Sequence, residues 1–296
     1  MKSPEQLKGT IRYIAKSRNL RSQEVLQMFL FERILERLAV SSYRKNFILK
    51  GGLLISSMIG ISERTTMDMD TTVRGIDMTE NEISGILQEI LAIDVNDGIN
   101  FTYKRIEPIR EDDEYNNFRV FLDAEYGKIK NPMKIDITTG DEITPAAIQY
   151  DYPLLFEDGS IPVMAYTLET ILAEKYETII RRNIGTTRAR DFYDLYALYR
   201  TRKNQLQIPV LKLAVEHTAN KRGSLELMFE WKEIIEDIRT EKALVNLWKN
   251  YTESNKYASG LSFDEVVDAA FEIGKLINEK QYRQAVPKNS LQIAST

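Results

Sequence analysis

Asp68 and Asp70 are separated by a single residue in the run Arg64-Thr65-Thr66-Met67-Asp68-Met69-Asp70. Alternate side chains of an extended strand share a face, so the two carboxylates project together while Met67 and Met69 project the other way. Like charges this close repel each other unless a cation intervenes or one carboxyl is protonated. Oxygen donors of this kind suit Mg²⁺, which takes one or two carboxylates plus substrate phosphates, and Mn²⁺ accepts the same donors. Upstream, the apolar run Phe47-Ile48-Leu49 reads as a buried strand that ends at Lys50-Gly51-Gly52, and Leu53 to Ile59 reads as a helix opening directly after the glycines. A Gly-Gly turn at a helix start lets backbone N–H groups approach a phosphate, whose charge the helix N-terminus favours. One half of this unit suits a triphosphate and the other its metal. Each piece also has a plainer explanation. Asp-x-Asp arises by chance in a chain of 296 residues, and Gly-Gly is often only a turn.

Charge also stands in apolar surroundings further along. In Met133-Lys134-Ile135-Asp136-Ile137 the isoleucines point one way and Lys134 and Asp136 the other; alone, Asp136 could equally be a solvent-facing residue of an edge strand. Over 167–182, Leu168, Ile171, Leu172, Lys175 and Ile179 fall on one helical stripe, with Glu174, Glu177 and Arg181 opposite. A buried ammonium needs a carboxylate or phosphate partner; the alternative is a lysine that snorkels its head to water. In the next helix, 188–202, Asp191 shares a face with Leu195 and Leu198. Asp194 lies farther round, where a surface pair with Arg190 at i,i+4 would contribute only ~0.3–0.5 kcal/mol.

Strand, Gly-Gly, helix and Asp-x-Asp strand together resemble the opening of the DNA polymerase β-like nucleotidyltransferase fold. More narrowly, Arg64 to Asp70 resembles the Arg-x-(Ser/Thr)-x-Asp-x-Asp of the AbiEii family, the nucleotidyltransferase toxins of abortive-infection systems. Lys134-Ile135-Asp136-Ile137 is similar to that family's Lys-x-Asp-Ile, and Thr167-Leu168-Glu169 followed by Glu174-Lys175 to its Thr-x-x-Glu-x-x-x-Glu-Lys. Arg188 to Leu195 resembles its Arg-x-Arg-Asp-x-Tyr-Asp-Leu. The four motifs, from Gly51 to Asp194, cover about half the chain. Three features depart from the pattern: one glutamate falls at 169, Gly52 stands where serine is usual, and 15 residues separate Gly52 from Asp68.

The resemblance implies an α+β fold: a polymerase β-like nucleotidyltransferase domain with a mixed sheet over 1–160, then a helical bundle over 161–296 that completes the active cleft. It implies transfer of a nucleotide from an NTP to a hydroxyl of an RNA acceptor, with the tRNA 3′ end expected. Such a toxin inhibits translation and growth in phage defence. By the same resemblance Asp68, Asp70 and Asp136 hold Mg²⁺, and Gly51, Gly52 and Thr66 bind the nucleotide. Lys175 meets the leaving pyrophosphate, and Asp191 orients Lys175 or the base and ribose. A cognate AbiEi-type antitoxin, encoded alongside, is implied to regulate transcription rather than to bind the toxin tightly. Two rivals stay open: an Asp-x-Asp nucleotide-sugar glycosyltransferase, and a non-catalytic module holding NTP as a regulatory ligand.

Composition removes other chemistries. The chain has no cysteine, which excludes disulfides, thiolate zinc sites and cysteine nucleophiles. His217 is its only histidine, and it reads as a helix-surface residue, which leaves no material for a His-rich metal site. The net charge of −4 argues against a uniformly basic nucleic-acid binder, yet residues 171–203 hold eight Lys/Arg against four Asp/Glu, a local surface suited to phosphates. No run approaches the ~20 apolar residues of a membrane span and the first residues lack a signal-peptide core, so the expected location is the cytoplasm.

The remaining pattern predicts the supporting elements. Ser3-Pro4-Glu5-Gln6 opens a capped helix over 3–18, Ser22 begins a long apolar-faced helix, and Thr79 caps a third. Runs 100–109, 117–125 and 132–138 read as an antiparallel meander, joined by an acidic loop at 110–116 and a turn at 127–131. Residues 139–166 read as an irregular strand-and-loop connection. Helices are expected at 167–182, 188–202, 209–220, 223–239, 241–250 and 262–280, with a frayed tail after Pro287.

Overall fold

The capping signals act where they stand in the chain. In the computed structural model, which describes residues 3–109 and 117–278, Ser3 Oγ accepts the N–H of Gln6 while the Gln6 side chain accepts that of Ser3, opening α1 (Pro4–Ser17). α2 (Ser22–Val40) follows, then β1 (Phe47–Lys50), α3 (Gly51–Ile59), β2 (Met69–Val73) and α4 (Glu80–Leu91), the last capped by Thr79. Five strands come next: β3 (Asn100–Pro108), β4 (Phe118–Tyr126), β5 (Ile129–Thr138), β6 (Ile148–Pro153) and β7 (Ser160–Ala165). The rest is helical: α5 (Leu168–Arg182), α6 (Ala189–Arg202), α7 (Ile208–Lys221), α8 (Trp231–Thr240), α9 (Lys242–Ser254) and α10 (Phe263–Asn278). The result is the α+β architecture, a mixed sheet followed by helices.

The seven strands form one sheet in the order β3-β4-β5-β2-β1-β7-β6. β5 runs parallel to β2 and β7 parallel to β1, while the other neighbours are antiparallel. The expected meander is β3-β4-β5, but its second turn is tighter than 127–131. Tyr126 pairs with Ile129 across a turn at Gly127, whose φ of 56° suits a two-residue hairpin loop. Residues 139–166 are more regular than their prolines imply, since they hold two strands. Pro162 lies outside the two rungs, Ile48↔Met164 and Leu49↔Ala165, that join β7 to β1, so its missing N–H breaks no bond there. The helix expected over 223–239 is interrupted: a 3₁₀ turn, Glu226–Phe229, precedes α8.

α2 packs against β7, α4 against β3, and α3 against β1, β2 and α6. One continuous cluster of buried apolar side chains runs from Leu7 through the sheet to Ile277, so sheet and helices share a core. The acidic 110–116 loop, the end of the last expected helix and the tail after Pro287 lie outside the described residues.

Candidate active site

Strand register assembles the first half of the site. Lys50 on β1 stands opposite Asp70 on β2, and Asp70 stands opposite Asp136 on β5. Asp68 immediately precedes β2, one pleat from Asp70. Burial pushes the Asp70 carboxyl up; the charges of Asp136 and Asp68 push the same way, against the pull of Lys50. Both oxygens of Asp136 are gripped by Arg119, with Nε–Oδ1 and Nη2–Oδ2 each 2.7 Å. Oδ1 of Asp68 is a buried atom that makes no hydrogen bond among the described residues; the Lys134 ammonium lies 3.0 Å from it as an ion pair.

These features bear on the metal that the sequence motifs imply. The mutually repelling Asp68–Asp70 pair supplies oxygen donors whose repulsion a divalent cation would relieve, so this pair fits Mg²⁺. Asp136 is adjacent but engaged with Arg119. Among the described residues no three His, Asp or Glu side chains are gathered into a ready-made metal group.

The glycines are packed onto these carboxylates. Gly51 has a φ of 65°, and a Cβ there would lie 2.1 Å from Asp70 Oδ2. A Cβ on Gly52 would lie 2.9 Å from Thr66 Oγ1 and 3.0 Å from Arg64 Nη2. The first turn of α3 therefore lies directly over the Asp-x-Asp segment, with bare backbone at the contact. The hydroxyl of buried Thr66 is used locally: it accepts the N–H of Asp68 at 3.2 Å and donates to that residue's carbonyl at 3.1 Å.

A second polar cluster, not singled out from the sequence, lies beside Asp70. Lys50 Nζ donates to Thr138 Oγ1 at 2.7 Å and to Asp141 Oδ2 at 2.5 Å, and the Tyr166 hydroxyl donates to the same oxygen at 2.9 Å. Burial would raise Asp141, but the Lys50 charge and these donors hold it down at about 2. The signal available in the sequence is the position of Lys50, a lysine closing an apolar strand just before Gly-Gly.

α5 and α6 supply the third part. Lys175 Nζ lies 2.6 Å from Asp191 Oδ1 and 3.2 Å from Asp194 Oδ2, so the mid-stripe lysine is ion-paired rather than snorkelling. Asp194 also accepts from Arg64 Nε at 2.7 Å, and Asp191 from Arg188 Nε at 2.6 Å. Burial opposes both charges, but Arg64 and Lys175 hold Asp194 low, and Lys175 and Arg188 hold Asp191 low. The expectation of a surface Arg190–Asp194 pair does not hold: Asp194 is 0% exposed. α6 is wedged among α3, α5, α9 and α10, so Asp191 and Asp194 are both enclosed, and the buried Arg64 neutralises Asp194. Glu177, expected on the outer face of its helix, is also fully buried, bonded to Arg181, Arg222 and Ser224. Glu169 caps α7 by accepting the N–H of Gln207. His217 is exposed, as its position implies, and contacts the Thr144 hydroxyl at 3.1 Å.

Between sheet and helices lies a cleft of about 590 Å³ whose walls include Lys50, Asp70, Asp136, Glu174, Arg188 and Arg222. The cleft thus brings together carboxylates on neighbouring strands, a glycine-opened helix over them and basic residues on the facing helices. The chain belongs to the AbiEii family: residues 33–269 match the family model described as nucleotidyl transferase AbiEii toxin, type IV TA system. It is thus a transferase of a toxin–antitoxin family. Three solved structures are similar at 17% identity each. A candidate nucleotidyltransferase from H. pylori covers 87% of this chain and 97% of its own at a TM-score of 0.49. JHP933 from Helicobacter pylori covers 87% and 94% at 0.48. An antigenic nucleotidyltransferase-like protein from Paracoccidioides brasiliensis covers 68% and 90% at 0.41. No curated protein matches the chain. No helix among the described residues is long and apolar enough to cross a membrane.

Proposed function

We propose that the protein transfers a nucleotidyl group from an NTP to a hydroxyl of an RNA, with the tRNA 3′ end as acceptor. It acts in the cytoplasm as a growth-inhibiting toxin of phage defence. Its antitoxin, encoded alongside, does not bind it tightly. The observation that supports this most is the Asp70↔Asp136 rung beside the Gly51 turn, which concentrates oxygen donors where a helix start can receive phosphate. Residues 1–160 would form the domain that carries these donors, and 161–296 the helical domain that closes the cleft.

The acceptor oxygen bonds to the α-phosphorus as the bond to the α–β bridging oxygen breaks, and pyrophosphate leaves. Asp68 and Asp70 would hold Mg²⁺ or Mn²⁺; the ion, when bound, neutralises triphosphate charge and the charge that develops during transfer. Asp136 takes the proton of the attacking hydroxyl or joins the donor set. Gly51 and Gly52 present backbone to the phosphates, and Thr66 holds the turn into Asp68. Lys175, oriented by its pair with Asp191, adds positive charge behind the pyrophosphate end of the cleft.

Incubation with tRNA, Mg²⁺ and each labelled NTP tests this. Label on the RNA 3′ end, lost with Asp70→Asn, is expected. NTP binding without transfer would favour a regulatory module instead, and turnover of a nucleotide-sugar a glycosyltransferase.

A further inference from the structure

Five charged side chains form a continuous ion-pair chain from the core to the cleft: Arg64–Asp194–Lys175–Asp191–Arg188. Three cations against two carboxylates leave one positive charge in excess. Arg64 and Asp194 are sealed in the core, and the Lys175 ammonium is shared between two aspartates with its side chain 17% exposed. Arg188 is the open end of the chain, with half its side chain exposed in the cleft wall.

Its orientation is fixed. Nε is held by Asp191 Oδ2 at 2.6 Å, and the backbone N–H donates to Thr186 Oγ1 at 3.2 Å. The two Nη groups make no hydrogen bond among the described residues, so the guanidinium presents an unused fork, and Arg188 feels the Asp70 charge across the cleft. Other cations lining the cleft are committed: Lys50 to Asp141, Arg181 to Glu177, and Arg222 to Glu174 and Glu177. Arg182 differs: it lines the same cleft from the end of α5, and its buried Nε has no hydrogen-bond partner among the described residues. Arg182 and Arg188 flank the short Asn183–Gly185 turn.

From this geometry we infer that Arg188, with Arg182 beside it, is the phosphate clamp that contacts the β- and γ-phosphates of the NTP, while Lys175 works from behind by fixing Asp191. A planar fork held at Nε matches phosphate oxygens in a way an ammonium does not. The inference rests on the nucleotidyl-transfer reading and adds which side chains touch the leaving group.

The test is calorimetric binding of NTPs, inorganic pyrophosphate and nucleoside monophosphates to the full chain with Mg²⁺. Arg188→Gln should weaken NTP and pyrophosphate at least tenfold and leave monophosphate binding unchanged, and Arg182→Gln should act in the same sense. Arg188→Lys should not restore affinity. Melting temperatures of these variants should stay within about 2 °C of the parent, because Asp191 keeps Lys175. Parental NTP affinity in Arg188→Gln, or equal losses for NTP and monophosphate, would overturn the clamp. Failure of the unaltered protein to bind any NTP would instead remove the underlying reading, and the clamp with it.

Discussion

Gly51 and Asp70 are packed so closely that a methyl group on the glycine would lie 2.1 Å from Oδ2 of the aspartate. The contact also needs a φ of 65°, which only glycine adopts without strain. Gly51→Ala must therefore shift either the α3 start or the Asp-x-Asp strand. A loss of about 1–3 kcal/mol by denaturant unfolding is expected, together with loss of label transfer. Parental stability and transfer in this variant would show that the contact is slack.

Asp68→Asn and Asp70→Asn should abolish transfer and growth inhibition while stability stays near or above the parent's. Burial and two like charges disfavour the ionised Asp70, so neutralising it relieves strain in the ligand-free protein. Thermal melting beside a plating assay checks both halves. Unfolding of both variants would make the pair structural.

Asp141 offers a pH signature. Its carboxyl is held at about 2 in the folded protein against an ordinary value of 3.8. A depressed carboxyl stabilises the fold above its unfolded value and loses that contribution as pH falls toward the folded one. The parent should therefore lose on the order of 2 kcal/mol between about pH 4 and pH 2 from this group, a component missing in Asp141→Asn. Chemical denaturation across that range separates the two proteins.

Lys175→Met removes the cation shared by two buried aspartates. Arg64 and Arg188 remain, but the carboxylates at the centre of the chain lose their common partner. We expect destabilisation of about 3 kcal/mol, with NTP affinity reduced as well, because Asp191 loses the Oδ1 contact that fixes the carboxylate to which Arg188 is bonded. Recovery of part of the lost stability with Asp191→Asn in the same chain, which leaves Asp194 paired with Arg64, would identify the repulsion between the two carboxylates as the cause.

Local physics made much of this protein legible in the sequence. Ser3 and Thr79 open their helices because a capping bond spans only a few residues, while α3 opens without one at the glycine pair, where Gly51 takes a φ of 65°. The one-residue spacing of Asp68 and Asp70 places both carboxylates on one side wherever the strand lies, and the stripe through Lys175 demanded a partner that proved to be Asp191. What tertiary structure decided was adjacency between distant segments. Asp136 stands beside Asp70 because β5 inserts parallel to β2, a pairing that no residue of either strand encodes by itself. Asp194 and Glu177 carry no apolar signature, and they are buried only because other helices close over them and Arg64 and Arg222 arrive from elsewhere in the chain. Lys50 is likewise defined by Asp141 and Tyr166, over 90 residues away. Periodicity reports which face of an element is apolar; the charge that compensates a buried polar group comes from contacts that form only when the chain folds.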